Sequence, residues 1–360
     1  MRTVAVLLTL IGVAYAGPTV TSLTTGQVIQ RSGSTCSITI AGSVGGGTHT
    51  IEARASQGSL TWGTIQADAT GTYTGTLANV PLGRHVISVR WAGCAGDPCA
   101  DAAHVAQIGC GVIMAVAGQS NGVGQGQSNQ TYTPPPGALP HASEYGGDYA
   151  WRFGVADPVG IMSVGSNAGW VDAVNDNSTT AGGSAWPNML STLAADAVAR
   201  KYPVALIPCA KNSSRIADWL PGVDHENRAT LYGACVYRAK QASQSDAIEG
   251  VLWWQGEGDL ADGTAPATYV SRLETIGDAF FADLGAVLIV AKLQNNAGAD
   301  NTAEGNLRTA VGNAYGTHHI VAGPDLSALD TFDDWHLIND ATLISAGSSW
   351  AAAVKAGLAL

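Results

Sequence analysis

The fold of this chain is decided at residues 112–122, which read Val-Ile-Met-Ala-Val-Ala-Gly-Gln-Ser-Asn-Gly. The six apolar residues, several of them β-branched, predict a strand that is buried on both faces. The last five match G-x-S-x-G, a pattern that holds a serine on a sharp turn between a strand and a helix. Ser120 is therefore a candidate nucleophile at the carboxyl end of a buried strand.

Strand and helix patterns alternate five times after residue 111. Apolar runs at 204–209, 250–254, 286–293 and 320–323 follow the first one, and helical patterns cover 187–202, 229–243, 265–284, 303–315 and 340–358. This order predicts a five-stranded parallel sheet with helices on both faces, because right-handed crossovers leave few other solutions. Residues 109–360 are expected to form this domain.

The segment 125–185 fits neither pattern, because it is rich in Gly, Asn, Ser and Pro. We interpret it as a long loop inserted between the first strand and its helix. Ligands bind at the carboxyl ends of parallel strands, so this loop could be a wall of the substrate site. A purely structural cover is the alternative.

The chain before residue 109 has a different organisation. Residues 1–16 combine Arg2, an apolar run at 4–13 and small residues at Ala14 and Ala16, which is typical of a secretory signal peptide. The run is shorter than a bilayer span, which disfavours a membrane anchor. Short alternating segments between turn residues then predict a small β-sandwich module over 17–108.

Composition limits the possible partners. The chain has 360 residues, with 17 Lys and Arg against 28 Asp and Glu, for a net charge of −11. Such a surface repels phosphates, so nucleic acid and anionic membranes are poor partners. The mature chain is expected to be soluble and exported.

Six cysteines remain after the predicted signal peptide, and an even number in an exported protein suggests disulfides. Cys94 with Cys99 and Cys209 with Cys235 are the expected pairs. A metal site is the competing interpretation, but no group of cysteines and histidines has the spacing of metal ligands.

A serine nucleophile needs a base and a group that orients that base. Asp333 and His336 follow the fifth predicted strand, so their loop should open at the same sheet edge as Ser120. Asp334 is a weaker carboxylate candidate. Asp101 and His104 have the same spacing, but they precede the nucleophile and lie in the β module, so we prefer the later pair.

A third polar group follows the strand at 250–254. Gln255 could donate its side-chain amide to an oxyanion, the charge that develops during acyl transfer. The alternative is that Gln255 and Glu257 bond to the local backbone.

Together these motifs resemble the SGNH hydrolases, and among them the group of sialate O-acetylesterases and acetylxylan esterases. The resemblance rests on Gly-Gln-Ser-Asn at 118–121, Trp-Gln-Gly-Glu at 254–257 and Asp333-x-x-His336. Gln-Val-Ile-Gln-Arg at 27–31 is similar to the start of the β domain of those esterases, and 109–112 lies where their chain enters the catalytic domain. The resemblance implies a flavodoxin-like three-layer α/β/α fold.

Carried over to this chain, the resemblance implies Ser120 as nucleophile, His336 as general base and Asp333 as its partner. Gln255 and the backbone N–H of Ser120 would bind the oxyanion, and Glu257 is an alternative partner of the histidine. Trp254 and Trp335 lie in or near predicted loops at the carboxyl ends of strands, where flat rings could stack on sugar faces, and packing in the core is the alternative. With Gln119 and Asn121 they are the candidate substrate-binding residues.

One departure from the family pattern concerns the second strand. Members carry Gly-Gly-Ser or Gly-Gly-Thr there, whereas this chain has Ala-Lys-Asn-Ser-Ser at 210–214. A backbone donor to the oxyanion would come from Asn212 or Ser213, which are less permissive than glycine.

The expected function is that of a secreted serine esterase that removes O-acetyl groups from a carbohydrate through an acetyl-enzyme. Its substrate would be acetylated xylan or acetylated sialic acid, and it would need neither a metal nor an organic cofactor, since fixed dipoles stabilise the charge. An unspecific short-chain carboxylesterase or lipase of the same fold, or a non-catalytic carbohydrate-binding protein, are the alternatives.

Overall fold

The computed structural model describes residues 17–57, 61–94, 102–126, 128, 130–134, 142–154, 172, 183–296, 301–331, 333, 335–337 and 339–360. The strands are β1 Val28–Gln30, β2 Thr35–Ser43, β3 His49–Ala55, β4 Gly63–Ala69, β5 Thr72–Pro81, β6 Gly83–Trp91, β7 Ala103–Gly118, β8 Ala142–Tyr145, β9 Trp151–Phe153, β10 Val204–Pro208, β11 Gly250–Trp254, β12 Val287–Lys292 and β13 Ile320–Asp325. The α-helices are α1 Ser120–Val123, α2 Trp186–Ala195, α3 Leu231–Ala242, α4 Glu257–Ala261, α5 Pro266–Leu284, α6 Asn301–Ala314 and α7 Asp340–Leu358, and 3₁₀ turns lie at Ala199–Lys201 and Ile216–Trp219.

The fold is mixed α/β, and its parallel part follows the order β13-β12-β11-β7-β10-β8. In the centre of this sheet, Val116 lies opposite Pro208 on one side and Leu252 on the other. The apolar run at 112–117 is fully buried, as expected for a strand with neighbours on both sides and cover on both faces.

The sheet is larger than the five strands that we predicted from the sequence. β8 adds a sixth strand to the row β13-β12-β11-β7-β10-β8, and β9 pairs antiparallel with β8. All strand pairings together link eleven strands into one mixed sheet. Both added strands come from the segment 125–185. Four residues that include Glu144 present no apolar run, and such short strands give too little sequence signal to be distinguished from a loop.

The chain divides into two compact units. One consists of Thr39–Leu77 and Val86–Val105 with the segment that ends at Leu23, and in its described part every regular element is a strand. The other consists of Ala106–Leu360 with two short segments, Thr24–Ile38 and Ala78–His85, which the sequence alone assigns to the β module. The candidate catalytic residues all belong to the second unit.

The helices of the second unit form two packed groups. α2 packs on α7, and α5 packs on α3 and α6. Local chemistry defines their ends: the Thr230 hydroxyl accepts from the Gly233 N–H at the start of α3, and Asn339 with Thr342 forms a capping box at α7. Between α2, α7 and β11, three buried tryptophans make ring contacts with one another: Trp186, Trp254 and Trp350.

The observed disulfide joins Cys36 to Cys110. These residues are 74 positions apart in the chain, and they meet because β1 pairs with β7 and places Ile29 beside Cys110. The predicted pair Cys209 and Cys235 is wrong, since both are free buried thiols that form a hydrogen bond with each other. Cys94 is disulfide-bonded, and Cys99, its predicted partner, lies outside the described residues.

Two structural features concern the predicted export: the signal peptide and possible membrane-spanning helices. The predicted signal peptide, residues 1–16, lies outside the described residues. Within the described residues, every helix is too short or too polar to cross a bilayer.

Gly118 ends β7 in a conformation that only glycine adopts without strain. Its φ is +116°, and a Cβ atom there would lie 2.0 Å from the carbonyl oxygen of Trp254. We expect Gly118→Ala to lower the free energy of unfolding by at least about 2 kcal/mol. Gly305→Ala is the matched control, because this site in α6 has open space, and it should raise the stability by about 0.5–1 kcal/mol.

Denaturant unfolding monitored by circular dichroism measures both changes. Equal stabilities for the two variants would show that the turn at Gly118 can relax. Glycine would then not be required two residues before Ser120.

Candidate active site

Ser120 is placed by the turn that follows β7. The Gln119 N–H donates to the Trp254 carbonyl at 2.9 Å, and Ser120 then begins the short helix α1. The first N–H groups of a helix have no acceptor within that helix. The Ser120 N–H has no acceptor among the described residues, so it can donate to a bound group.

Ser120 and His336 line one cavity of about 340 Å³. This geometry brings together the ends of β7, β10 and β11 with the loop after β13. Other predicted residues on its wall are Gln119, Asn212, Ser213, Glu257 and Trp335, and residues that the sequence did not suggest are Gln125, Arg215, Gly258 and Ala261. Gln125 comes from the inserted segment, most of which lies outside the described residues.

Asp333 holds the His336 ring through a local turn. Its Oδ2 is 2.6 Å from Nδ1 of His336, and its Oδ1 accepts from the His336 N–H at 2.8 Å and the Trp335 N–H at 3.2 Å. Partial burial works against ionisation, but these hydrogen bonds hold the pKa of the Asp333 carboxyl below its usual value. The carboxylate is thus ionised and fixed against the histidine.

The competing Asp and His pair lies in the other unit. The hydroxyl of Ser88 is 2.8 Å from Nδ1 of His104, so this nitrogen is engaged by a neighbouring strand. Asp101 and Asp334 lie outside the described residues.

We predicted that Gln255 faces the cavity, but in the structure it does not line the cavity wall. Its side-chain Nε2 donates to Asp259 Oδ2 at 2.6 Å and also lies 3.2 Å from the Ser214 carbonyl and from Gln119 Oε1. The residue is buried and absent from the cavity wall. The Asp259 carboxylate also accepts from the Ile216 N–H and the Thr264 hydroxyl. Gln255 therefore joins two loops through Asp259.

Gln119 also organises the loop after β11. Its Oε1 accepts from the Gly258 N–H at 3.1 Å and the Gly256 N–H at 3.4 Å. Gln119 also lines the cavity, and its side chain links the turn that carries Ser120 to the loop at Gly258.

A buried amide network supports the histidine loop. Asn121 Nδ2 donates to Glu257 Oε1 at 2.7 Å and to the Trp335 carbonyl at 3.0 Å. Gln294 Nε2 contacts the same two acceptors at 2.8 and 3.0 Å. Asn121 therefore holds the backbone beside His336, and both hydrogens of its Nδ2 are engaged within the protein, whereas we predicted that Asn121 contacts the substrate.

Trp254 likewise differs from its predicted role. The side chain is 1% exposed, packs against Trp186 and Trp350, and donates its indole N–H to Gln294. A ring in this position cannot stack on a sugar. Trp335, in contrast, is half-buried and lies on the cavity wall.

The loop after β10 supplies two further N–H groups. The Lys211 N–H donates to the Gly118 carbonyl at 2.9 Å, which fixes the loop beside Ser120. The N–H groups of Asn212 and Ser213 have no acceptor among the described residues, and both residues line the cavity. Ser213 has a φ of +57°, the left-handed conformation in which glycine would be favoured.

Glu257 is a buried carboxyl on the cavity wall. Its Oε1 accepts from Asn121 and Gln294, whereas Oε2 has no partner among the described residues. Burial raises the pKa of this carboxyl, and the hydrogen bonds from Gln294 and Asn121 offset only part of the shift.

Glu257→Gln should therefore change how stability depends on pH. The folded protein binds the Glu257 proton more tightly than the unfolded chain, so wild-type stability falls as pH rises from the usual pKa of a glutamate through the raised one. The variant has no Glu257 carboxyl to ionise, so its Tm relative to wild type should rise over that pH window and then stay constant. Thermal unfolding between about pH 4 and pH 8 measures the difference.

Glu226→Gln is the matched control, because that side chain is 46% exposed and pairs with Lys240 at the surface. A Tm difference for Glu257→Gln that does not change with pH would show that the buried carboxyl ionises as easily in the folded protein as in the unfolded chain.

Sequence reasoning missed Asp259, Gln294 and Arg215. The first two had detectable signals, because Asp259 lies four residues after Gln255 and Gln294 directly follows a predicted strand. Arg215 had none, since its approach to the cavity depends on the path of the loop after β10. Across the described residues, no cluster of three or more His, Cys, Asp or Glu side chains has the arrangement of a metal site.

Comparison with known proteins identifies the family of this chain. Residues 111–355 match the family model of carbohydrate esterases described as sialic acid-specific acetylesterases. Because the match covers more than half of the chain, the protein belongs to this family of carbohydrate acetylesterases. A search of curated proteins finds no match.

Two solved structures share the fold. A carbohydrate acetylesterase from Xanthomonas citri is 18% identical, with a TM-score of 0.55 over 95% of this chain and 75% of that one. A protein from Arabidopsis thaliana is 19% identical, with a TM-score of 0.52 over 68% of this chain and 98% of that one. At these identities the likeness concerns the fold alone.

Proposed function

We propose that this protein is a secreted serine esterase that removes O-acetyl groups from a carbohydrate through an acetyl-enzyme on Ser120. One observation carries the proposal: Ser120 and His336 line the same cavity, and Asp333 holds the far nitrogen of the histidine at 2.6 Å. A hydroxyl, an imidazole and a carboxylate in this relation are the parts that acyl transfer by a serine requires.

In the first half of the reaction, the Ser120 Oγ attacks the acetyl carbonyl carbon and the His336 Nε2 takes the hydroxyl proton. Asp333, ionised beside Nδ1, stabilises the imidazolium that forms. The tetrahedral intermediate collapses when the bond from carbon to the sugar oxygen breaks, and His336 returns its proton to that oxygen. Water repeats the sequence on the acetyl-enzyme and releases acetate.

Backbone N–H groups would stabilise the oxyanion in place of Gln255. The N–H groups of Ser120, Asn212 and Ser213 have no acceptor among the described residues, and all three residues line the cavity. Donors that are already oriented cost no reorganisation when the charge develops. Which of Asn212 and Ser213 pairs with Ser120 depends on the position of the acetyl group.

The sugar would lie at the mouth of the cavity. The half-buried Trp335 offers an apolar surface beside His336, and Gln119 offers polar contacts. Family membership favours a glycan substrate, with acetylated sialic acid and acetylated xylan as the first candidates. The Cys36–Cys110 disulfide is typical of oxidising compartments and agrees with the signal-like sequence at 1–16 in favouring secretion.

Acetate release tests the proposal. The purified protein should release acetate from acetylated xylan or from O-acetylated sialic acid with a higher kcat/KM than p-nitrophenyl acetate supports. A preference for p-nitrophenyl esters over both glycans would instead indicate an unspecific short-chain esterase. No acetate release from any of these substrates would indicate a non-catalytic carbohydrate-binding protein.

A further inference from the structure

We propose that the ion pair between Arg215 and Asp262 is a positioning device that holds Ser213 in its left-handed conformation, so that the backbone of this loop presents its N–H groups to the cavity. The proposal rests on the proposed function of Ser120. It makes Arg215 a positioning residue, which acts on the reaction through Ser213 and not through contact with the reacting atoms.

The first observation is backbone strain at the cavity. Ser213 has a φ of +57°, although it carries a side chain, and its position in the loop is one where glycine would be favoured. A strained residue persists only where its surroundings fix it. Something in this structure must therefore supply the constraint that a serine backbone lacks.

The Lys211 N–H bond to the Gly118 carbonyl holds the start of this loop, and Arg215 constrains Ser213 itself through its guanidinium group. Nη1 donates to the Ser213 carbonyl at 2.8 Å, while Nε and Nη2 donate to the two carboxylate oxygens of Asp262 at 2.5 and 3.0 Å. A planar guanidinium bound at three points cannot rotate freely. The Ser213 peptide is thus tied to Asp262, the residue that directly follows α4.

Gly258 makes room for this arrangement. A Cβ atom at Gly258 would lie 2.4 Å from Nη1 of Arg215 and 2.9 Å from its central carbon. Any other residue at this position would displace the guanidinium from Ser213. The glycine in α4 and the arginine after β10 therefore function as a pair.

The ion pair is poorly placed to act through global stability. The side chains of Arg215 and Asp262 are 32% and 52% exposed, and ion pairs of this kind add little to the stability of a fold. The effect of breaking the pair should therefore appear in kcat and not in Tm or KM.

A double-mutant cycle with p-nitrophenyl acetate tests the proposal. Arg215→Ala should lower kcat by about 10- to 100-fold, less than or equal to the loss of a whole oxyanion donor, with KM within about 3-fold. In a background that carries Ser213→Gly, the same Arg215 substitution should lower kcat by less than about 3-fold, because glycine adopts the left-handed conformation without support. Arg215→Lys should not restore kcat, since an ammonium cannot make the three fixed bonds.

Lys240→Ala is the control, because it breaks the surface pair with Glu226 away from the cavity and should leave kcat unchanged. Equal effects of Arg215→Ala in both backgrounds, or a loss confined to Tm, would overturn the proposal.

A second measurement does not depend on activity. Crystal structures of Arg215→Ala with and without Ser213→Gly should show that residue 213 leaves the left-handed region only where it is serine. Retention of a φ near +57° at Ser213 without the arginine would overturn the proposal, even if kcat fell. Failure of Ser120→Ala to affect hydrolysis would reject Ser120 as nucleophile and leave this structural test in force.

Discussion

Ser120→Ala is expected to lower kcat for acetate release by at least about 10³-fold while the protein stays folded. Alanine removes the only atom that forms the acetyl-enzyme, and the remaining N–H groups can accelerate only a direct attack by water. Because Ser120 lines the cavity and is not part of the hydrophobic core, Tm should change little. The measurement is the steady-state rate on the best glycan substrate, with substrate affinity taken from KM.

Ser271→Ala is a matched control, because Ser271 is exposed on α5 and makes no contribution to the cavity. It should retain wild-type kcat. A Ser120→Ala variant that keeps a tenth or more of the wild-type rate would mean that another group attacks the ester.

Asp333→Asn should lower kcat by about 10²- to 10⁴-fold. The carboxylate fixes the tautomer that leaves Nε2 able to accept the Ser120 proton, and it stabilises the imidazolium. An asparagine amide facing Nδ1 would donate to that nitrogen and favour the opposite tautomer, with the proton on Nε2. The loss should fall on kcat with KM nearly unchanged, since Asp333 does not line the cavity.

Asp330→Asn, three residues earlier in the same loop and exposed, is the control for this substitution. If both variants kept full activity, Asp333 would not be the functional partner. Loss of activity in Glu257→Gln would then identify Glu257, whose Oε2 has no partner among the described residues, as the alternative.

Much of the fold could be predicted because long apolar runs in the sequence indicate buried strands. The run at 112–117 and those that begin at residues 204, 250, 286 and 320 mark strands. Four of the helical patterns lie within two residues of α3, α5, α6 and α7, whereas the pattern at 187–202 runs seven residues past the end of α2 and through a 3₁₀ turn. The strands β8 and β9 escaped prediction because three or four residues with charged neighbours have no recognisable period. The Cys36–Cys110 pair escaped because it depends on strand pairing across 74 residues.

Within the site, the sequence motifs predict which loops meet, but they do not predict which partners the side-chain amides of these loops bind. Ser120 and His336 line the same cavity, and Asp333 contacts Nδ1 of His336. The side-chain amides of Gln255 and Asn121 bind Asp259 and Glu257, because buried amides need partners and carboxylates nearby outcompete a substrate. Such competition depends on distances that spacing along the chain does not encode.

Covalent labelling tests the central claim, that Ser120 is a nucleophile activated by His336, most directly. Wild-type protein treated with diethyl p-nitrophenyl phosphate should release p-nitrophenolate and carry one diethylphosphoryl group, which peptide mass spectrometry should place on Ser120. His336→Ala should slow labelling by at least about 10²-fold. A wild-type protein that hydrolyses acetyl esters but is labelled on another residue, or is labelled equally fast without His336, would contradict the account.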